Sequence, residues 1–420
     1  MAPHISWFSI LFSASDIHHS HPTSAKAVQQ IYVWDRFVRL FHWGLLVAVT
    51  LAALSGFWLG ATWIRLHVVA GLLAASLVLL RLIWGLTGSH HARFSSFVRA
   101  PHEVLAHLRE LRAGVAPRHI GHNPLGALMV LMLLAVVLSL AITGVMTLGG
   151  EFKTPPLATL SYDQGQFAHY VHKLLAWGLG GLIALHVLGA LFESLRTKEN
   201  LPVAMITGRK ALRNEDADFP SNHSVRIRPV LTVIAAMVLF SGLAGWAGLP
   251  GGSGHPPLPH APVSPSAFNV DYASECSDCH AAYHPSLLPG SSWQQLMAHL
   301  DDHFGEDASL EAQTAQEISD WLVTVSADQV DSKPAHVFRK VSPAHPDAIS
   351  LTPFWQKTHA AIPKKTFSQP PIYGAFNCAA CHADAATGWF FPSNISIPKP
   401  PITIHGNTSL VSVPSAIVEE

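Results

Sequence analysis

Residues 169–194 read HYVHKLLAWGLGGLIALHVLGALFES, an apolar stretch carrying two histidines, His172 and His186, fourteen positions apart. On an α-helix fourteen steps leave the two rings about 40° apart in azimuth and roughly 21 Å apart along the axis. The imidazoles therefore share one face at two depths. An ionisable side chain is costly inside a membrane helix, so it turns inward and takes a task such as metal ligation. Two stacked haems on one helix satisfy that constraint; two histidines hydrogen-bonding between helices is the plainer alternative.

The chain of 420 residues is 49% hydrophobic and only 13% charged, where a soluble domain carries about 25% charged residues. Its net charge of −1 argues against a nucleic-acid surface. Five stretches, 40–60, 66–86, 124–148, 167–195 and 229–249, approach the roughly 20 apolar residues that cross a bilayer. Arg65 and Arg81 lie near span ends, where long side chains snorkel to the interface. Positive charge gathers in two connections, at Arg93, Arg99, Arg109, Arg112 and Arg118 and again at Arg196, Lys198, Arg209, Lys210, Arg213, Arg226 and Arg228. The positive-inside rule then makes these loops and the N-terminus cytoplasmic, and the fifth span delivers the C-terminal part of the chain to the outer side of the inner membrane. The expected division is a disordered leader at 1–30, a four-helix membrane domain at 31–200, and a cytoplasmic loop with the fifth helix at 201–249. Beyond it come a proline- and glycine-rich linker at 250–267, a periplasmic domain at 268–400 and a disordered tail at 401–420.

Within the spans, His42 and His186 fall near the cytoplasmic face and His67 and His172 near the outer face. Matching depths give an inner haem between His42 and His186 and an outer one between His67 and His172. His169, one turn before His172, is the rival outer ligand, but lies about 100° in azimuth from His186. Gly56, Gly71, Gly178 and Gly189 either admit a macrocycle edge or serve close helix packing. His122 and Arg39 are candidate propionate or quinone contacts, or interfacial anchors.

The segments WDRFVRLFHWGL, RLHVVAGLL, GHNPLGALMVL and HYVHKLLAWGLGGLIALHV resemble the bacterial cytochrome b561 and nickel–iron hydrogenase cytochrome b family. The resemblance implies two b-type haems, exchange with the quinone pool, and His42, His67, His172 and His186 as iron ligands.

All four cysteines lie in CSDCH at 276–280 and CAACH at 378–382. C-x-x-C-H reads as c-type haem attachment, with Cys276 and Cys279, and Cys378 and Cys381, as thioether anchors and His280 and His382 as proximal ligands. A redox or zinc C-x-x-C competes with either motif alone, less well with two and no spare cysteine. The opposite iron ligands lie among His284, His299, His303, His336, His345 and His359. Ser292 and Gln295 form a capping-box pattern before a stripe of Trp293, Leu296, Met297, Leu300 and Phe304, which His303 borders. Thr352 and Pro353 start a second helix bearing Trp355 and His359. Both cysteine segments with HFG and KTHAAIP are similar to the dihaem cytochrome c family. That resemblance implies His303 and His359 as distal ligands; the expected pairing is His280 with His303 and His382 with His359, with the crossed pairing as the alternative.

The expected fold is all-α: a four-helix haem bundle with a fifth transmembrane helix, then a small, loop-rich dihaem domain. The expected function is electron transfer between the quinone pool and a periplasmic redox protein through two b haems and two covalently attached c haems. Alternatives are reverse flow as in a hydrogenase cytochrome b subunit, and a haem-based gas sensor, which needs a five-coordinate iron. Glu275, Asp278 and Asp384 beside the motifs fit either a partner-docking surface or solvated charge. Ser241 and Gly245 in the fifth span fit a homodimer contact or packing within one bundle.

Overall fold

A computed structural model describes residues 30–60, 63–213 and 262–398, together with Leu239. The expected fifth span, nearly all of the leader, most of the linker and the tail lie outside the described residues. Among the described residues four helices are long and apolar enough to cross a membrane: α1 (Arg36–Phe57), α2 (Ile64–Thr87), α5 (Pro124–Phe152) and α6 (Tyr162–Thr197). Between α2 and α5 lie the short α3 (Phe94–Phe97) and the amphipathic α4 (Pro101–Ala113), so the arginine-bearing connection is itself helical.

Local chemistry starts and stops these helices. Asp35 caps α1 by accepting from Val38 N, and Asn123 caps α5, with Pro124 in the first turn where no amide partner is lost. Ser161 and Gln164 form a complete capping box on α6, satisfying two of the orphan amides of a helix start. Within the bundle α1 packs on α2 and α5 on α6, with Ala48, Ala74, Val78, Leu134, Val137 and Leu179 buried between them. The lipid-facing positions Trp177, Leu185 and Leu188 stay exposed, as expected where the solvent is hydrocarbon.

At the end carrying His42 and His186, β1 (Gln30–Tyr32) pairs antiparallel with β2 (Arg209–Ala211), which comes after α7 (Leu201–Thr207). Arg39 donates to Ile206 O (2.6 Å) and Tyr32 Oη (2.9 Å), so it anchors this platform. Arg118 bonds Glu199, with Lys210 3.6 Å away. Asp35 joins the platform to the bundle: its Oδ2 accepts from Trp84 Nε1 (2.9 Å) and Ser89 Oγ (2.5 Å). Arg81 does not snorkel; its side chain is buried, with the guanidinium 5.1 Å from the Phe94 ring.

The second unit contains α8 (Val270–Glu275), α9 (Gly290–Met297), α10 (Ala312–Val325), α11 (Lys333–Phe338), α12 (Pro353–His359) and α13 (Lys364–Phe367). Its core is Tyr272, Leu288, Trp293, Met297, Ile318 and Leu322. Two details differ from the expectation. Helix α9 starts at Gly290, so Ser292 lies inside it instead of capping it; it also ends at Met297, and Phe304 lies beyond, 63% exposed with φ 57°.

Replacing Asp35 with alanine removes a cap and leaves the Trp84 and Ser89 donors unpaired, which costs about 2 kcal/mol or more. The detergent-solubilised D35A protein is expected to melt at a lower temperature than the wild type, with D35N in between.

Candidate functional site

Four histidine pairs share one geometry. Ring centres are 6.4 Å apart for His42 and His186, 6.0 Å for His67 and His172, 6.2 Å for His280 and His303, and 6.2 Å for His359 and His382. Two imidazoles on opposite sides of one metal, each nitrogen about 2 Å from it, have ring centres roughly 6.4 Å apart. No pair is in direct contact, and each fits one ion between its rings.

Carbonyl groups orient the rings. With Nδ1 protonated, His67 donates to Ala52 O on α1 (2.9 Å) and His172 to Leu140 O on α5 (3.0 Å), with Thr143 Oγ1 3.1 Å from the latter nitrogen. His359 donates from Nδ1 to Trp355 O (2.9 Å) and His280 to Ala281 O (3.0 Å). Such a bond fixes the tautomer and leaves Nε2 as the lone-pair nitrogen for a metal. Thr143 and the carbonyl partners escape sequence reading because they lie at positions with no ligand signal of their own. A Cβ at Gly56 would come within 3.0 Å of His67, and one at Gly144 within 3.4 Å of His172. Around Gly71, Gly178 and Gly189 a Cβ would meet nothing within 4 Å.

The remaining candidates separate by contact. His169 donates to Glu151 (2.7 Å). His299 donates to Gln295 O (2.8 Å), and His336 donates to Asp331 (2.8 Å). His284 is buried with both nitrogens engaged: Nε2 donates to Val263 O (2.8 Å), and Nδ1 accepts from Ser286 Oγ (2.7 Å). Asp384 does not belong to a free surface, since its Oδ2 accepts from Phe391 N and Asn394 Nδ2.

Electrostatics suit neutral ligands. Burial, and then the neighbouring partner histidine, lowers the pKa of His303 and of His382, favouring the neutral imidazole a metal requires. Burial pushes the Cys276 and Cys378 thiols up to about 11. Redox C-x-x-C cysteines have lowered values instead, so these environments speak against the disulfide-exchange alternative. Near His186, burial and then Arg81 hold His122 neutral, down to about 3. Arg81 Nη1, His91 Nε2 and His122 Nδ1 are buried without a hydrogen-bond partner, a set that fits the carboxylates of a haem.

The chain is a haem-binding membrane electron-transfer protein. Residues 33–208 match the prokaryotic cytochrome b561 model, and residues 272–390 match the dihaem cytochrome c model. The first segment is similar to the probable Ni/Fe-hydrogenase B-type cytochrome subunit of Cupriavidus necator, 27% identical over 46% of this chain and 91% of that protein. The Rhizobium leguminosarum bv. viciae protein of the same description is 25% identical over 47% of this chain and 95% of its own length. The second is similar to a diheme cytochrome c structure from Rhodobacter sphaeroides, 36% identical over 29% of this chain and 94% of that one, TM-score 0.26. A Shewanella baltica diheme cytochrome structure is 30% identical over 31% and 94%, TM-score 0.26. Sequence identity carries these relations.

His284 titrates at 6.5 when exposed and near 4 here, because burial disfavours its charged form. Its folded pKa is lowered, so its contribution is present above pH 6.5 and is lost as pH falls towards 4. Between pH 7 and 5 that loss is about 2 kcal/mol. Denaturant midpoints of the wild type should fall over this range, and H284Q should flatten the dependence. Gly388 has φ 71°, and a Cβ there would lie 2.6 Å from the His284 ring; G388A should therefore lower the same midpoint at pH 7.

Proposed function

We propose that this protein passes electrons between the quinone pool and a periplasmic redox partner through two b haems and two covalently attached c haems. The observation that carries this reading is the fourfold recurrence of histidine rings 6.0–6.4 Å apart, two pairs in the bundle and two beside C-x-x-C-H motifs. When bound, the haems supply one-electron carriers whose potentials the surrounding residues set.

His42 with His186, and His67 with His172, hold the two b irons. His280 with His303, and His382 with His359, hold the two c irons, which Cys276, Cys279, Cys378 and Cys381 tether. Arg81, His91 and His122 receive the propionates of the inner haem. A pair of imidazoles would hold each iron and leave no place for a gas ligand, which supports electron transfer over gas sensing. The positive charge of the connections supports a cytoplasmic His42 end and a periplasmic dihaem domain at residues 268–400. Reverse flow, from a periplasmic donor to quinone, uses the same parts; the description of the relatives as hydrogenase cytochrome subunits supports it as the second reading.

The test is a pyridine haemochrome analysis of the purified full-length protein, reduced with a quinol analogue and exposed to carbon monoxide. Two b and two c haems, reduced by quinol and spectrally unchanged by carbon monoxide, are expected. H303A and H359A should each keep covalent haem while opening one c haem to carbon monoxide. A haem count below four, or carbon monoxide binding by the wild type, would overturn the ligand set.

A further inference from the structure

The turn between α5 and α6 meets the segment entering α11 through two ion pairs of opposite sense. On the bundle side stand Glu151 and Lys153, two residues apart; on the dihaem side stand Asp331 and Lys333, also two apart. Lys333 Nζ donates to Glu151 Oε2 (2.6 Å), and Lys153 Nζ donates to Asp331 Oδ2 (2.6 Å). The Glu151 side chain has no solvent exposure and that of Lys153 only 5%. Pairs with one buried partner add little net stability but fix register, because any other alignment strands the buried charge.

Several features lack a use unless the two units dock here. Lys153 ends α5 with φ 51°, a left-handed position usually given to glycine; its ammonium spans to Asp331 and to Leu160 O (2.7 Å). Asp331 accepts from Tyr162 N at the start of α6 (3.1 Å), one of the amides that a helix start leaves without an intrahelical partner. The Tyr162 ring stacks on His336 at 4.2 Å, and His336 also donates to Asp331. Glu151, finally, holds His169 on the same helix as His172, one turn away. Around this centre, Phe152 approaches Phe391 (6.2 Å), and Pro392–Asn394 packs against α2, the helix that bears His67. The two residues after that turn are in turn bound to the second motif, since Ser396 N donates to Cys381 O and His382 bridges Ile395.

We propose that Glu151, Lys153, Asp331 and Lys333 form an intramolecular docking clamp that seats the dihaem domain on the His67/His172 end of the bundle, with the Cys378–His382 motif facing the bundle and the Cys276–His280 motif directed to the external partner. The ion-pair clamp stands independently of the ligand assignments; the orientation of the two motifs towards bundle and partner rests on the function proposed above. Glu151 has a second task as a positioning residue: by engaging His169 it keeps that ring off the iron site served by His172.

The test uses the full-length, haem-loaded protein carrying E151K, K333E or both, with D331N and K333Q as milder variants. Hydrogen exchange of residues 153–165 and 330–338 reports the dock without reference to electron transfer, and the haem spectrum is recorded on every preparation. Each charge reversal should speed exchange in both segments by about tenfold or more, and the double variant should return it to within about threefold of wild type. E151K should also shift the b-haem spectrum, whereas K333E should not. Unchanged exchange in the single variants and in D331N, or a double variant as fast as the worse single, would overturn the clamp. Normal exchange behaviour in a protein short of haem would instead count against the ligand set alone.

Discussion

In the His67/His172 pair each imidazole has its Nδ1–H satisfied by a carbonyl of the protein, and this constraint ties the rings to the rest of the bundle. His67 reaches a carbonyl of α1 and His172 a carbonyl of α5, so each ring is aimed by a helix other than its own. The ring pair His67/His172 thereby draws on all four spanning helices: two contribute the rings and two hold them. Helix α5, which has no histidine, takes part through its carbonyl acceptor and as the wall against which α6 packs. Displacing either helix would cost a buried hydrogen bond as well as apolar contact.

Much of this was legible in the sequence because it depends on period and length. Apolar runs marked four of the spans, and the fourteen-residue interval of His172 and His186 implied one face and two depths, which the ring distances to His67 and His42 match. The c-type motifs are contiguous and could be read directly. What depends on packing between distant segments was hidden. The burial of Arg81 needed the fold, since an arginine near a span end is equally suited to snorkelling. His303 lies past the end of its helix, so the helical stripe that singled it out was not the reason for its position opposite His280. The roles of His169 and His284 separate only when their acceptors, Glu151 and Val263, are brought to them from other parts of the chain.

The two families meet in one polypeptide, and neither set of relatives spans it. The cytochrome b561-type relatives cover less than half of the chain and the dihaem structures about 30%. The contact between the segments is built from residues at the edge of each module. Its chemistry differs accordingly: the modules pack through apolar cores, whereas they join through reciprocal charges and a shared helix cap.

Helix α6 is 36 residues long, about 54 Å as a straight helix, against a hydrocarbon core of roughly 30 Å. It outruns the bilayer, and a thicker or thinner membrane is accommodated by changing its tilt. His172 and His186 both sit on this single rod, so their separation is set by the rise of the hydrogen-bonded helix. Changes in lipid composition would rotate the line joining the two positions relative to the membrane normal while leaving its length unchanged, so the spacing of the two imidazoles is insulated from the thickness of the membrane around them.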